Sequence, residues 1–118
     1  MPVSTKEQEF VSYIVDLLQS IGPVEAKRMF GGHGIFLDGL MFGLIADSVL
    51  YLKADKESLD EFTTKGLEAF SYNKKGKTMK MSYYQAPEEA LENIDDMNIW
   101  GNKAYSAAFR AASAKQKK

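Results

Sequence analysis

Apolar residues recur at Phe10, Tyr13, Ile14, Leu17 and Ile21, the spacing of one helical face. Ser4 and Thr5 each stand three residues before an acceptor, Glu7 and Gln8, so either can open a capping box. Gly22-Pro23 predicts the stop: a residue free to take a left-handed cap, then one that cannot continue the helix. From Val24 to about Ala54 the pattern changes to strands. Asp38-Gly39 is a strong type I′ hairpin signal, because both central positions of that turn need positive φ. A two-residue loop there sets Leu37 against Leu40, Phe36 against Met41, Ile35 against Phe42 and Gly34 against Gly43. Asp47-Ser48 is a weaker second turn, leading into a strand from Val49 to Lys53. This register puts Ile35, Leu37, Leu40, Phe42, Leu44, Val49 and Tyr51 on one face, and Phe36, Met41, Ile45, Leu50 and Leu52 on the other. Both faces are apolar, whereas a small antiparallel sheet usually wets one of them. The second face therefore needs a cover: another helix, a second copy of the chain, or a partner.

Asp55 is a good N-cap for a helix over Lys56 to Lys65, and Gly66 a good C-cap. Ala69 to Asn73 and Thr78 to Tyr84 read as a hairpin across Lys74 to Lys77, with Met79, Met81 and Tyr83 on one side of its second strand. Pro87 suits the first position of a helix, with Glu88 and Glu89 near its positive end. A final helix is expected from about Met97 to Ala112, buried through Met97, Trp100, Ala104, Ala108 and Ala111. The order predicts a two-layer α+β domain: an antiparallel sheet of about five strands with helices mainly on one face, α-β-β-β-α-β-β-α. Residues 1–112 form one domain, and 113–118 a basic, frayed tail.

Composition narrows the function. Fifteen Lys and Arg against sixteen Asp and Glu leave a net charge of −1, so the chain lacks the overall positive field of a domain that holds DNA mainly through phosphates. With no cysteine and one histidine, thiolate nucleophiles, disulfides and Cys/His metal sites are excluded. No apolar run is long enough to span a membrane and the first residues do not resemble a signal peptide, so a soluble cytoplasmic protein is the expectation.

His33 lies between glycines at the start of a strand, where it is expected to be satisfied locally or exposed; a catalytic dyad would need Asp38, Asp47 or another acid folded beside it. Gly31-Gly32-His33-Gly34 leads into a strand, so no helix N-terminus stands ready for a phosphate, and the glycines serve turns or close backbone approach. Lys74, Lys75, Lys77 and Lys80, flanked by Tyr72, Tyr83 and Tyr84, are the best local candidate for nucleic-acid or partner contact, although lysines at a hairpin tip also guard against edge pairing. The acidic group from Glu88 to Asp96 lacks a calcium-loop pattern. Ser82 lacks a nucleophile elbow. Phe36, Met41, Tyr51 and Tyr84 are candidate interface residues. These readings favour a non-enzymatic interaction domain with no cofactor, ahead of direct nucleic-acid binding, with an enzyme or small-ligand protein using His33 last.

The segment Arg28-Met29-Phe30-Gly31-Gly32-His33-Gly34 through Asp38-Gly39, then Met41 to Asp47 and Leu50 to Lys53, closely resembles the TfoX N-terminal domain family. Phe70-Ser71-Tyr72, Met81 to Tyr84 and Pro87 to Leu91 match it in the same order, so the resemblance covers about residues 10 to 112. It implies a role in bacterial gene regulation, since the family's namesakes are regulators of natural competence acting with the cyclic-AMP receptor protein. It also implies an α+β fold similar to that of secretion chaperones, and it carries no established catalytic residue. The full-length regulators have a second, helical C-terminal domain; this chain reads as a single-domain, TfoX-like member. The implied partner is a protein, either a transcription factor or a second copy.

Overall fold

The computed structural model describes residues 5–29, 32–74 and 76–116. Helix α1, Thr5–Leu18, runs into a 3₁₀ turn, Gln19–Ile21, and stops at Gly22, whose φ of 149° few side chains tolerate. The stop at Gly22-Pro23 is thus as predicted. Ser4 of the expected capping box lies outside the described residues. Six strands form one antiparallel sheet: β1 Glu25–Met29, β2 Gly32–Leu37, β3 Leu40–Ala46, β4 Val49–Lys53, β5 Ala69–Lys74 and β6 Lys77–Gln85, in the order β1-β2-β3-β4-β6-β5. The strand added to the expected five is β1. Its Glu25, Lys27 and Arg28 hide the strand period, yet such charges suit a sheet edge, where they discourage pairing with another chain.

Both hairpin turns are of the primed kind. Asp38 and Gly39 have φ of 51° and 80°, and Asp47 and Ser48 have φ of 52° and 59°. Leu37 pairs with Leu40 and Phe36 with Met41, as the turn requires. Beyond that point the expected register is wrong. Ile35 pairs with Gly43 and Gly34 with Leu44, because Phe42 is inserted as a β-bulge. A one-residue slip exchanges the faces of everything after it. Ile45, Leu50 and Leu52 therefore join Ile35, Leu37 and Phe42 in the core, while Leu44, Val49 and Tyr51 move to the side of Phe36 and Met41. Gly43 permits this, since a Cβ there would lie 3.3 Å from the Tyr51 carbonyl oxygen and 3.4 Å from Ile35.

The helices cover one face. Helix α2, Leu59–Thr64, starts later than Lys56 and has Ser58, not the expected Asp55, as its N-cap, because residues 56–58 form a turn held by Asp55. Asp55 Oδ1 accepts hydrogen bonds from the Glu57 and Ser58 backbone N–H groups at 3.1 and 3.2 Å. The helix ends, as expected, at Gly66, with φ 75°. Pro87 is the N-cap of a short α3, Glu88–Glu92. Helix α4, Ile94–Gln116, is longer at both ends than its apolar stripe suggests. Asn93 caps it by accepting from the Asp96 N–H at 2.8 Å, and the helix continues through 113–116, where a frayed tail was expected. Lys117 and Lys118 lie outside the described residues.

Helix α4 packs on β3 and β4 and against α1. Gly101 marks the crossing: a Cβ there would lie 2.7 Å from Leu18 Cδ2. Phe62 stands edge-on to Trp100 at 5.2 Å and beside Tyr84 at 5.7 Å, so α2, α4 and β6 share one aromatic cluster. Arg110 closes the layer by gripping Asp55 with two hydrogen bonds, Nε to Oδ2 at 2.6 Å and Nη2 to Oδ1 at 2.9 Å.

Candidate interaction surface

The face opposite the helices is apolar, and the bulge decides which residues make it so. It carries Phe36, Met41, Leu44, Val49 and Tyr51, joined by Met29 from β1. The sheet covers one end of this face with its own chain. Phe70 of β5 meets Tyr51 edge-on at 5.1 Å and, with Met29 and Leu44, walls a cavity of only about 10 Å³. Leu44 is consequently 3% exposed. At the other end, next to the Asp38-Gly39 turn, Phe36 and Met41 are only half-buried. The sulfurs of Met29 and Met41 and the Phe36 ring converge on the space over Gly34, where a Cβ would lie within 2.5 to 3.2 Å of all three. Lys27 Nζ stands 5.0 Å from the centroid of the Phe36 ring, and Lys53 Nζ 5.2 Å from that of Tyr83, so cations frame this end.

The candidate interface residues are thus divided. Phe36 and Met41 lie together at the half-covered end, Tyr51 lies under Phe70, and Tyr84 sits on the helix face against Phe62. The signature residues serve the same architecture. Gly32 and Gly34 let other groups approach the face, Asp38-Gly39 makes the turn, and Arg28 is paired with His33 across β1 and β2. Phe30 and Gly31 lie outside the described residues.

His33 is neither at an exposed strand end nor satisfied by a neighbour in sequence. It is 8% exposed, with Nδ1 3.5 Å from Glu7 Oε2 of α1. That distance is long for a hydrogen bond, and Nδ1 has no hydrogen-bond partner among the described residues. Asp38 and Asp47, the acids considered from sequence, sit in exposed turns. The pair has acid and base character, but the adjoining cavity of about 10 Å³ holds at most a water.

Lys74 pairs with Lys77 at the tip of the β5–β6 hairpin, Lys80 pairs with Ser71, and Lys77 is exposed. Only the backbone of Lys74 and Lys80 is described, and Lys75 lies outside the described residues. The flanking Tyr83 and Tyr84 remain at the root. Tyr83 donates its hydroxyl to the Met41 carbonyl at 3.2 Å, and burial raises its phenol pKa above the ordinary value. Sequence reasoning missed Glu7 and Arg110, whose partners are 26 and 55 residues away. No cluster of three His, Cys, Asp or Glu side chains suited to a metal occurs among the described residues, and no described helix is long and apolar enough to cross a membrane.

Comparison with known proteins bears on the same segment. The chain is 26% identical over 78 residues to Protein Sxy of Escherichia coli strain K12, which covers 66% of this chain and 37% of that protein. It is 29% identical over 86 residues to DNA transformation protein TfoX1 of Aliivibrio fischeri, covering 73% and 39%. It therefore spans less than two fifths of either relative. The TfoX N-terminal domain model matches residues 16–108, from within α1 to the buried part of α4, and the chain belongs to that family.

Proposed function

We propose that this chain is a regulatory interaction domain that acts through protein–protein contacts in the control of transcription, without chemistry of its own. The observation that carries this reading is the pair of half-covered apolar side chains, Phe36 and Met41, framed by Lys27 and Lys53 on a rigid sheet. The name of one relative, a DNA transformation protein, supports a role connected with DNA rather than with metabolism. The partner is a transcription factor or a second copy of the chain. Light scattering gives the solution mass, and affinity purification of the tagged chain from its host identifies retained proteins. The expected result is a mass above 13.2 kDa or a retained transcription factor, lost on Phe36→Glu. A strict monomer with the same retained proteins for wild type and Phe36→Glu overturns the reading.

Direct nucleic-acid binding is the second reading, favoured by the placement of Lys74 opposite Lys77 at the tip of the hairpin. It predicts salt-sensitive retardation of DNA that weakens when Lys74, Lys75 and Lys77 become Glu. No retardation at low salt eliminates it.

A further inference from the structure

Beside the half-covered end of the second face, the fold leaves a small pocket of about 210 Å³ with both apolar and polar lining. Its floor is Ala108, Ala111 and Ala112 of α4, its wall is Leu40 and Met41 at the start of β3, and its rim is Lys53 and Tyr83. The alanines leave this space because they project too little to fill the gap between helix and hairpin. The rim is held in place: the Tyr83 hydroxyl is bonded to the Met41 carbonyl, and Lys53 Nζ donates to Ser82 Oγ at 2.7 Å.

We propose that this pocket anchors a partner segment in which one large apolar side chain stands beside carboxylates, an acidic amphipathic peptide. The proposal rests on the protein–protein reading above and adds the chemistry of the partner. Small-molecule sites are usually about 300 Å³ or more. A volume of about 210 Å³ suits a single aromatic or branched side chain, the usual form of an interface anchor. Leu40, Met41 and the alanines give the pocket its apolar part and Lys53 is the charged group among its described lining residues, so an apolar group enters and a neighbouring carboxylate meets that ammonium. Met41 lines both the pocket and the second face, so a segment anchored here continues over Phe36.

The test uses the whole chain and two fluorescent peptides of about twelve residues, the span of a short amphipathic helix or strand. Both carry the same Phe and Leu pattern; one is spaced by Asp and Glu, the other by Lys. Fluorescence anisotropy is expected to show salt-sensitive binding of the acidic peptide and none of the basic one. Ala111→Leu, which fills the floor, and Lys53→Glu, which reverses the rim, are each expected to weaken binding roughly tenfold or more. Lys53 is half-exposed, so its variant carries the test should Ala111→Leu fail to fold. Equal binding of both peptides, binding of neither, or affinity unchanged in Lys53→Glu overturns the proposal. So does a concentration-dependent dimer that Lys53→Glu or a folded Ala111→Leu abolishes, since the occupant is then a second copy. Failure here leaves the Phe36→Glu result untouched, which separates the pocket from the broader reading.

Discussion

Replacing Asp55 by Asn should remove a pH-dependent part of the stability while keeping the local turn. The Asp55 carboxylate does two things. It holds the turn before α2 through the Glu57 and Ser58 backbone N–H groups, and it receives the Arg110 guanidinium in two hydrogen bonds. The Arg110 bond is the main cause that holds the Asp55 pKa at about 2, below the ordinary 3.8, against the opposing effect of burial. Each tenfold gain in acid strength is worth about 1.4 kcal/mol, so the full lowering corresponds to roughly 2 kcal/mol. Arg110 is 37% exposed, and solvent screening reduces the expected effect to about 1 kcal/mol. The sign follows from the lowered pKa. The contribution is fully present above the unfolded value near 3.8 and is lost as pH falls toward about 2. Asn still accepts from backbone N–H groups as an N-cap, so Asp55→Asn removes the charge more than the turn. Urea unfolding of wild type and variant at pH 7 and at steps from pH 4 to pH 2 measures the difference. It should be about 1 kcal/mol at pH 7 and close to zero near pH 2. A difference that does not change across this window refutes the linkage, and no difference at pH 7 refutes the clasp itself.

Two glycine tests probe the packing. Gly101→Ala gains about 1 kcal/mol of helix propensity but sets a methyl 2.7 Å from Leu18 Cδ2, which is fully buried and has little room to move. Overpacking of about 1–3 kcal/mol should dominate, giving a net loss in thermal or urea unfolding; a stabilised variant would show that α1 and α4 can separate freely. Gly32→Ala and Gly34→Ala lie on the same strand and face but meet different obstacles. At Gly32 the methyl lies 2.1 Å from the Ile45 carbonyl oxygen, whereas at Gly34 it meets the ends of the partly covered Met29, Phe36 and Met41. Backbone cannot yield cheaply, so the Gly32 variant should lose about 3 kcal/mol or more and the Gly34 variant markedly less; equal losses contradict this account.

What was legible in the sequence was local. Gly22-Pro23, Asp38-Gly39 and Gly66 each stated their backbone requirement in the residues themselves, and the structure places a stop, a turn and a cap there. The bulge was not legible. An isolated glycine in a strand can signal one, but Gly34 and Gly43 together equally suit a regular pair of facing glycines. Only packing decides, because Phe42 and Ile45 are both fully buried and a regular strand would put them on opposite faces. The Glu7–His33 and Asp55–Arg110 pairs were invisible for a related reason. Each joins elements that meet only after α1 and α4 have docked on the sheet, and one sequence carries no record of that distance. The interface candidates divide for a different reason: the bulge brings Tyr51 to the side of Phe36 and Met41, where Phe70 packs on it, while pairing with Leu52 sets Tyr84 on the helix face.

The bulge also locates the part of the second face that matters. By turning Leu44 and Tyr51 outward, it gives the β5–β6 hairpin an apolar end to fold onto, and Phe70 closes that end. The same shift leaves Phe36 and Met41 on the outward side of the Asp38-Gly39 turn, which Phe70 does not cover. The short side chains of Ala108, Ala111 and Ala112 open a pocket beside that turn, with Met41 common to both surfaces. Phe42 and Ile45, which hold the core, face the helices. The partner proposed above would meet Phe36, Met41 and Lys53, side chains outside the buried core, so binding and stability can be altered separately. That separation is what an interaction surface requires, and it explains why the Phe36 and Lys53 substitutions can report on binding rather than on folding.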